Sequence, residues 1–123
     1  CLLRLELLFC RFRATIVLLE GPLNWQRMAA DFARTHGLLR DPATHVLDLS
    51  SEVGEVAKAL LEATDYGRRP PRPGPALTAE LGDALYALLA LAEACDVDAG
   101  LALHDALVKY ERRLARKGSA SST

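Results

Sequence analysis

The sequence predicts an all-α protein, folded as an antiparallel four-helix bundle. Apolar residues recur at alternating spacings of three and four, which is the period of one helix face, and no segment shows the alternation typical of a β-strand. Clusters of glycine and proline separate these segments. Amphipathic helices joined by short links pack as antiparallel neighbours, so the pattern indicates a bundle.

The four helices can be placed by their start and stop signals. We expect the first from about Asn24 to His36. The second should run from about Pro42 to Thr64, because Asp41 is a good N-cap and proline suits the first helical position. The third should span about Thr78 to Ala94, and the fourth should follow Asp98, another candidate N-cap.

Each helix carries one row of apolar or aromatic residues, which we expect to face the bundle core. The rows are Trp25, Met28, Phe32 and His36; Val46, Leu49, Val53, Val56 and Leu60; Leu81, Leu85, Leu88 and Ala92; and Leu103, Leu107, Tyr110 and Leu114.

The 123 residues suit a single domain. We expect the helical working domain over residues 23–117 and a disordered tail over 118–123. Residues 1–22 form an atypical segment that starts with Cys, and charged residues interrupt its apolar stretch. It fits neither a membrane span nor a secretory signal, so we interpret it as a fragment boundary or a misplaced start.

The charge and the cysteines exclude several classes of protein. The formal net charge of −1 offers no overall field for nucleic acid or an anionic membrane surface. Three cysteines are an odd number, and they lack metal-ligand spacing, which argues for a reducing compartment. We therefore expect a cytoplasmic protein with neither nucleic acid nor a membrane as its partner.

A run of arginine and proline over residues 68–73 separates the second and third helices. It cannot be helical, because proline lacks an N–H donor and restricts the residue before it. It is either a solvated linker or a mobile basic flap near a site, and composition favours the linker.

The second and third helices carry the same short pattern of glutamate, aliphatic residue, glycine and acid. It places Glu52 and Glu55 one turn apart on the second helix, and Glu80 and Asp83 likewise on the third. Packing the two apolar rows together would bring the four acids near one another. Such acids repel unless a cation compensates, and an all-oxygen site suits Mg²⁺ or Mn²⁺.

Two observations bear on that hypothesis. The glycines inside the pattern, Gly54 and Gly82, each cost a helix roughly 1 kcal/mol relative to alanine, which suggests that a helix or a ligand approaches the backbone there. Against it, acids beside an apolar row are common, and these could form a solvated face or pair with Lys58, Arg112 and Arg113.

These residues resemble a known family. Residues 47–58, 64–67, 79–86 and 106–113 are similar to the MazG-like all-alpha nucleoside triphosphate pyrophosphohydrolases, and the resemblance covers about residues 24–117. Relatives often carry a further acid where this chain has Ser51. That departure leaves any role of the position in doubt.

The resemblance implies an activity and a site. Glu52, Glu55, Glu80 and Asp83 would bind magnesium, with manganese as a possible substitute, and would carry catalysis. The enzyme would hydrolyse a ribo- or deoxyribonucleoside triphosphate to the monophosphate and pyrophosphate, in housekeeping of the nucleotide pool. The resemblance also implies a homodimer or tetramer.

Substrate-binding residues are expected on the second and fourth helices or at their ends. Lys109 and Arg113 match basic positions of the family, and Lys58 lies one turn beyond Glu55. Surface solvation or pairing with acids is the alternative for each of them. Tyr66 ends the second helix beside the loop and is the candidate for stacking on the base.

Two other functions stay open from the sequence. The first is a phosphoribosyl-ATP pyrophosphohydrolase, which has a related carboxylate bundle. The second is a non-catalytic helical interaction module, in which the acids would bind no metal.

Overall fold

The structure is a computed structural model that describes residues 22–72 and 74–117, with the side chains of 25–72 and 74–116. It contains four helices, which we number in chain order: α1, Pro22–Thr35; α2, Pro42–Ala63; α3, Pro75–Ala94; and α4, Ala99–Lys117. The described residues contain no β-strand, which confirms the predicted all-α class with four helices.

The N-terminal caps of α2 and α4 are those that the sequence predicted. The Asp41 carboxylate accepts hydrogen bonds from the backbone N–H of Thr44 at 3.0 Å and from its hydroxyl at 2.7 Å. At the start of α4, the backbone N–H of Leu101 donates to the Asp98 carboxylate at 2.9 Å. These bonds satisfy N–H groups that the first helical turn leaves without a partner.

The start of α3 differs from the prediction. The helix begins at Pro75, ahead of Thr78, and Gly74 is its N-cap without a side-chain hydrogen bond. Proline is favoured at the first helical position because it has no N–H to leave unpaired. The signal that placed the start of α2 is therefore present here as well.

Helix α3 is the central element of the described chain. It packs along α2 and against α1, and α1 also contacts α4. The buried apolar residues come from α1 and α3 and are mostly small: Ala29, Ala30, Ala33, Ala87, Leu89 and Ala90. Small side chains let two helices approach closely, so α1 and α3 form the core of the single chain.

The expectation that the apolar rows face a core within one chain is wrong for all four helices. The exposed members of these rows include Met28, Phe32, Val46, Val53, Leu81, Leu85, Leu88, Leu103 and Leu107. The buried apolar residues of α3 are mostly alanines, on the side that packs against α1. The described residues therefore leave a large apolar surface exposed.

A hydrogen-bond network joins α1 to the corner between α3 and α4. The Gln26 amide donates to the Glu93 carboxylate at 3.0 Å and to the carbonyl of Val97 at 2.9 Å, and it accepts from the N–H of Ala99 at 2.8 Å. Arg34 also donates to Glu93. The network holds the start of α4 against α1.

By length and composition α3 could span a membrane, with a mean hydropathy of 1.3. The central helix of a helical bundle passes the same test, and α3 packs against both α1 and α2. This helix is weak evidence for a membrane span.

The predicted atypical segment over 1–22 and the predicted tail over 118–123 lie outside the described residues, except for Pro22, which begins α1.

Candidate metal site and phosphate groove

The two acidic patterns meet along the interface between α2 and α3. Glu52 lies near Asp83, and further along the interface Glu55 shares a groove with Glu80 and Ala76. Along this interface the residue numbers of α2 increase while those of α3 decrease. The two helices are therefore antiparallel, as the sequence predicted. Acids distant in sequence become neighbours because of this packing.

Three of the four predicted acids form a tight cluster. Glu52, Glu80 and Asp83 each offer a carboxylate oxygen, and these oxygens all lie within 4.8 Å of one another. Glu52 and Glu80 are half-buried, and Asp83 is exposed. Three oxygen donors from two helices can serve one hard cation, which leaves further coordination positions for substrate oxygens or water.

The cluster changes the acidity of Glu52. Partial burial, followed by the negative charges of Asp83, Glu80, Glu55 and Asp48, raises the pKa of Glu52 above its usual value. Burial and like charges both disfavour the ionised carboxylate. A divalent cation would relieve this repulsion, so the donor set and its electrostatics fit magnesium or manganese.

The fourth acid, Glu55, is not part of the tight cluster. Its carboxylate oxygen lies 3.6 Å from the Nζ of Lys58, and half of its side chain is exposed. With Lys58, Glu62, Ala76 and Glu80 it lines a groove of about 250 Å³ between α2 and α3. Glu55 therefore stands between the acidic cluster and this groove.

The expected close approach to the glycines does not occur within the described chain. A Cβ atom added at Gly54 or Gly82 would have no described atom within 4 Å, apart from its chain neighbours and its own helix backbone. A neighbouring helix among the described residues is thus excluded as the reason for these glycines. A ligand remains as the alternative that the sequence offered.

The other predicted substrate-binding residues lie apart from the cluster. Lys109 and Arg113 are on α4, whose described packing is with α1 rather than with α2. The Nζ of Lys109 lies 5.2 Å from the ring centre of Tyr110. Tyr66 follows the end of α2 with 71% of its surface exposed, so its ring is free to contact a ligand.

An aromatic residue adjoins the acids on α3. Tyr86 follows Asp83 by one turn, and its ring meets that of Phe32 edge-on at 6.0 Å between centres. Phe32 also contacts His36 at 4.5 Å between ring centres. The Tyr86 hydroxyl is buried without a hydrogen-bond partner among the described residues.

His45, which lies on the same stripe of α2 as the acids, has a structural role. It is buried, and its Nε2 accepts a hydrogen bond from the backbone N–H of Arg40 at 2.9 Å. This bond ties the α1–α2 link to α2.

The fold and the cluster define a class of protein: helical bundles in which carboxylates from adjacent helices can hold a hard cation. The family model of the MazG nucleotide pyrophosphohydrolase domain matches residues 40–117, which include α2, α3, α4 and all four acids. The chain belongs to this family, as the resemblance in its motifs predicted.

A relative supports the same assignment. Over 108 residues the chain is 36% identical to human dCTP pyrophosphatase 1. The match covers 80% of this chain and 64% of the relative, so the chain spans less than two thirds of that protein's length.

Proposed function

We propose that the domain over residues 23–117 is a magnesium-dependent nucleoside triphosphate pyrophosphohydrolase. It converts a nucleoside triphosphate into the monophosphate and pyrophosphate. The observation that supports this most is the convergence of Glu52, Glu80 and Asp83, with oxygens within 4.8 Å, inside the region that matches the family.

In this proposal Glu52, Glu80 and Asp83 hold Mg²⁺, for which Mn²⁺ can substitute. A bound divalent cation neutralises phosphate charge, which is essential here because bare carboxylates repel a triphosphate. The carboxylates also orient the phosphate chain, because they fix the position of the cation that would neutralise the phosphate charge. Glu52 and Glu80 are half-buried between the two helices, and Asp83 is exposed beside them.

The reaction is attack of water on the α-phosphorus. A new P–O bond forms as the bond from the α-phosphorus to the bridging oxygen breaks, and pyrophosphate leaves with that electron pair. A carboxylate accepts the proton of the water. Glu55 is our candidate for this role because it adjoins the cluster without belonging to it and is open to solvent.

Lys58, Lys109, Arg113 and Tyr66 remain proposed substrate contacts. Lys58 lines the groove beside Glu55 and Glu80, which supports a contact with phosphate. The roles of Lys109 and Arg113 rest on the family resemblance. Tyr66 has the exposure that stacking on a base requires.

The first experiment is a panel of ribo- and deoxyribonucleoside triphosphates with Mg²⁺, scored for pyrophosphate release. The name of the human relative makes dCTP the first substrate to test. Phosphoribosyl-ATP belongs in the same panel, because preferred hydrolysis of it would favour the alternative enzyme class. Release of inorganic phosphate alone would argue against attack at the α-phosphorus.

A variant links the activity to the site. Glu80→Ala should lower turnover by at least about a thousandfold, since it removes a proposed metal ligand, while the helical content stays unchanged. Glu111→Ala, on exposed α4, is the matched control. Undiminished turnover in Glu80→Ala would refute the site. Lack of any Mg²⁺-induced rise in the melting temperature of the wild type would favour a non-catalytic module.

We also propose that the enzyme is a cytoplasmic homo-oligomer, a dimer or a tetramer. Among the described residues, large apolar side chains of all four helices are exposed, including Met28, Leu47, Leu85 and Leu107. So extensive an apolar surface is typical of chains that bury it against another copy. Cys95 is free and exposed, in keeping with a reducing compartment.

A further inference from the structure

We propose that Arg69 and Arg72, in the loop between α2 and α3, form with Lys58 a binding site for the pyrophosphate end of the substrate and for the released pyrophosphate. This inference rests on the proposed function. It assigns a role to the arginine–proline run, which composition favoured as a solvated linker.

Two cavities lead from the carboxylates to these arginines. The groove beside Glu55 and Glu80 extends along α2 to Ala63. A second cavity, of about 210 Å³, is lined by Ala63, Arg69, Pro70 and Arg72. Because Ala63 lines both, the two cavities adjoin and together lead from the proposed metal site to the loop.

The dimensions of this path suit a phosphate chain. Ala63 follows Glu55 by about two helical turns, which is roughly 11–12 Å along α2. A polyphosphate that starts at the acidic cluster covers part of that distance. The long side chains of Lys58, Arg69 and Arg72 can extend over the remaining distance towards the phosphate chain.

The loop that carries Arg69 is held in place at its start. The buried Thr64 hydroxyl accepts from the N–H of Gly67 at 3.1 Å and donates to the carbonyl of Leu60 at 2.9 Å. The N–H of Arg69 donates to the carbonyl of Thr64 at 2.8 Å. These bonds position Arg69 directly beyond the end of α2, so this part of the loop is not a flexible linker.

The charges at the loop end of the path also fit, whereas glutamates line the groove on the side of the proposed metal site. Pyrophosphate carries several negative charges, and arginine can bind phosphate oxygens with two parallel N–H donors. Within the described part of the chain, neither Arg69 nor Arg72 forms an ion pair. Their neighbour Arg68 instead lies 3.8 Å from the carboxylate of Asp65 and lines neither cavity.

Arg68 therefore provides a matched control for the test. Isothermal titration of the Mg²⁺-loaded protein with inorganic pyrophosphate should give a dissociation constant about tenfold higher in each of Arg69→Ala and Arg72→Ala, as loss of a charge-assisted hydrogen bond predicts. Arg68→Ala should stay within about twofold of the wild type. Arg72→Lys should recover part of the affinity, because it keeps the charge but loses the paired donors.

The outcomes separate this inference from the proposed function. If the wild type releases pyrophosphate from a nucleotide but both arginine variants bind pyrophosphate as the wild type does, the arginine site is wrong and the function stands. If arginine-dependent binding occurs without hydrolysis of any nucleotide, the function is wrong and the site stands. Failure of the folded wild type to bind pyrophosphate overturns the inference.

Discussion

Glu52 of α2 and Asp83 of α3 place carboxylate oxygens within 4.8 Å of each other, and Asp83 contributes more than any other charge to raising the pKa of Glu52. The two residues belong to different helices, and packing alone brings them together. The ionised carboxylates of the site therefore repel one another, and a bound cation or a proton relieves this repulsion.

This repulsion makes metal-free stability depend on pH. The pKa of Glu52 is higher in the folded than in the unfolded chain, so the folded protein binds the proton more tightly and loses stability as pH rises through this titration. We expect metal-free Glu52→Gln to melt at a higher temperature than the wild type at pH 7, with a smaller difference near about pH 4.

Thermal melts in the presence of a chelator measure this effect, with Glu111→Gln as a control on exposed α4. A lower melting temperature of metal-free Glu52→Gln at pH 7 would contradict the electrostatic account. With saturating Mg²⁺ the wild type should melt at a higher temperature than Glu52→Gln, because Mg²⁺ binding stabilises the wild type more than the variant.

Glu93 should respond to pH in the opposite sense. Hydrogen bonds from Gln26 and then from Arg34 lower the pKa of Glu93. Its stabilising contribution is present above the usual glutamate range and is lost as pH falls through the lowered pKa. Glu93→Gln should cost about 1–2 kcal/mol of unfolding free energy at pH 7, and much less near pH 3.

Urea unfolding at the two pH values tests this, with Asp105→Asn as the control variant, since Asp105 is exposed and its carboxylate lies beside the adjacent His104. The network would have no energetic role if Glu93→Gln were as stable as the wild type at pH 7.

Replacing Gly54 or Gly82 by alanine should have different effects on stability and on activity. Since a Cβ at Gly54 or Gly82 meets no described atom outside its local backbone, alanine there should stabilise the folded chain by about 0.5–1 kcal/mol through helix propensity. If a ligand approaches the backbone, the same variants should raise the KM for the nucleotide.

Gly67→Ala is the contrasting variant, because its φ of +85° disfavours any side chain. It should destabilise the chain by about 1 kcal/mol in the same urea experiment. Stabilisation by Gly67→Ala, or destabilisation by Gly54→Ala alone, would show that contacts beyond those of the single chain decide these positions.

The exposed apolar face of α4 should be an interface. Leu107 is 52% exposed, and Leu107→Lys should shift the protein towards a monomer by placing a charge on that face. Analytical ultracentrifugation across a concentration series measures the shift. Asp105→Lys, on the opposite side of the helix, should keep the wild-type mass, and a monomeric wild type would refute the oligomer.

The sequence by itself determined the four helices, the N-caps of α2 and α4, and the candidate acids. Local rules suffice for these features: the period of apolar residues, the hydrogen bonds of Asp41 and Asp98, and the preference of proline for the first helical turn. The same rules placed each pair of acids on one face of its helix. They apply without knowledge of how the helices pack.

Only the tertiary structure decided which acids cluster, where the leucines point and what the loop adjoins. Glu52 meets Asp83 across the α2–α3 interface, whereas Glu55 lies beside Lys58 of its own helix. The leucines of the α3 row are exposed, and the alanines of that helix are buried instead. Arg69 lies beside the groove in a loop that local hydrogen bonds hold in place. The acid cluster and the buried face of α3 depend on contacts between helices, which periodicity along one helix cannot contain.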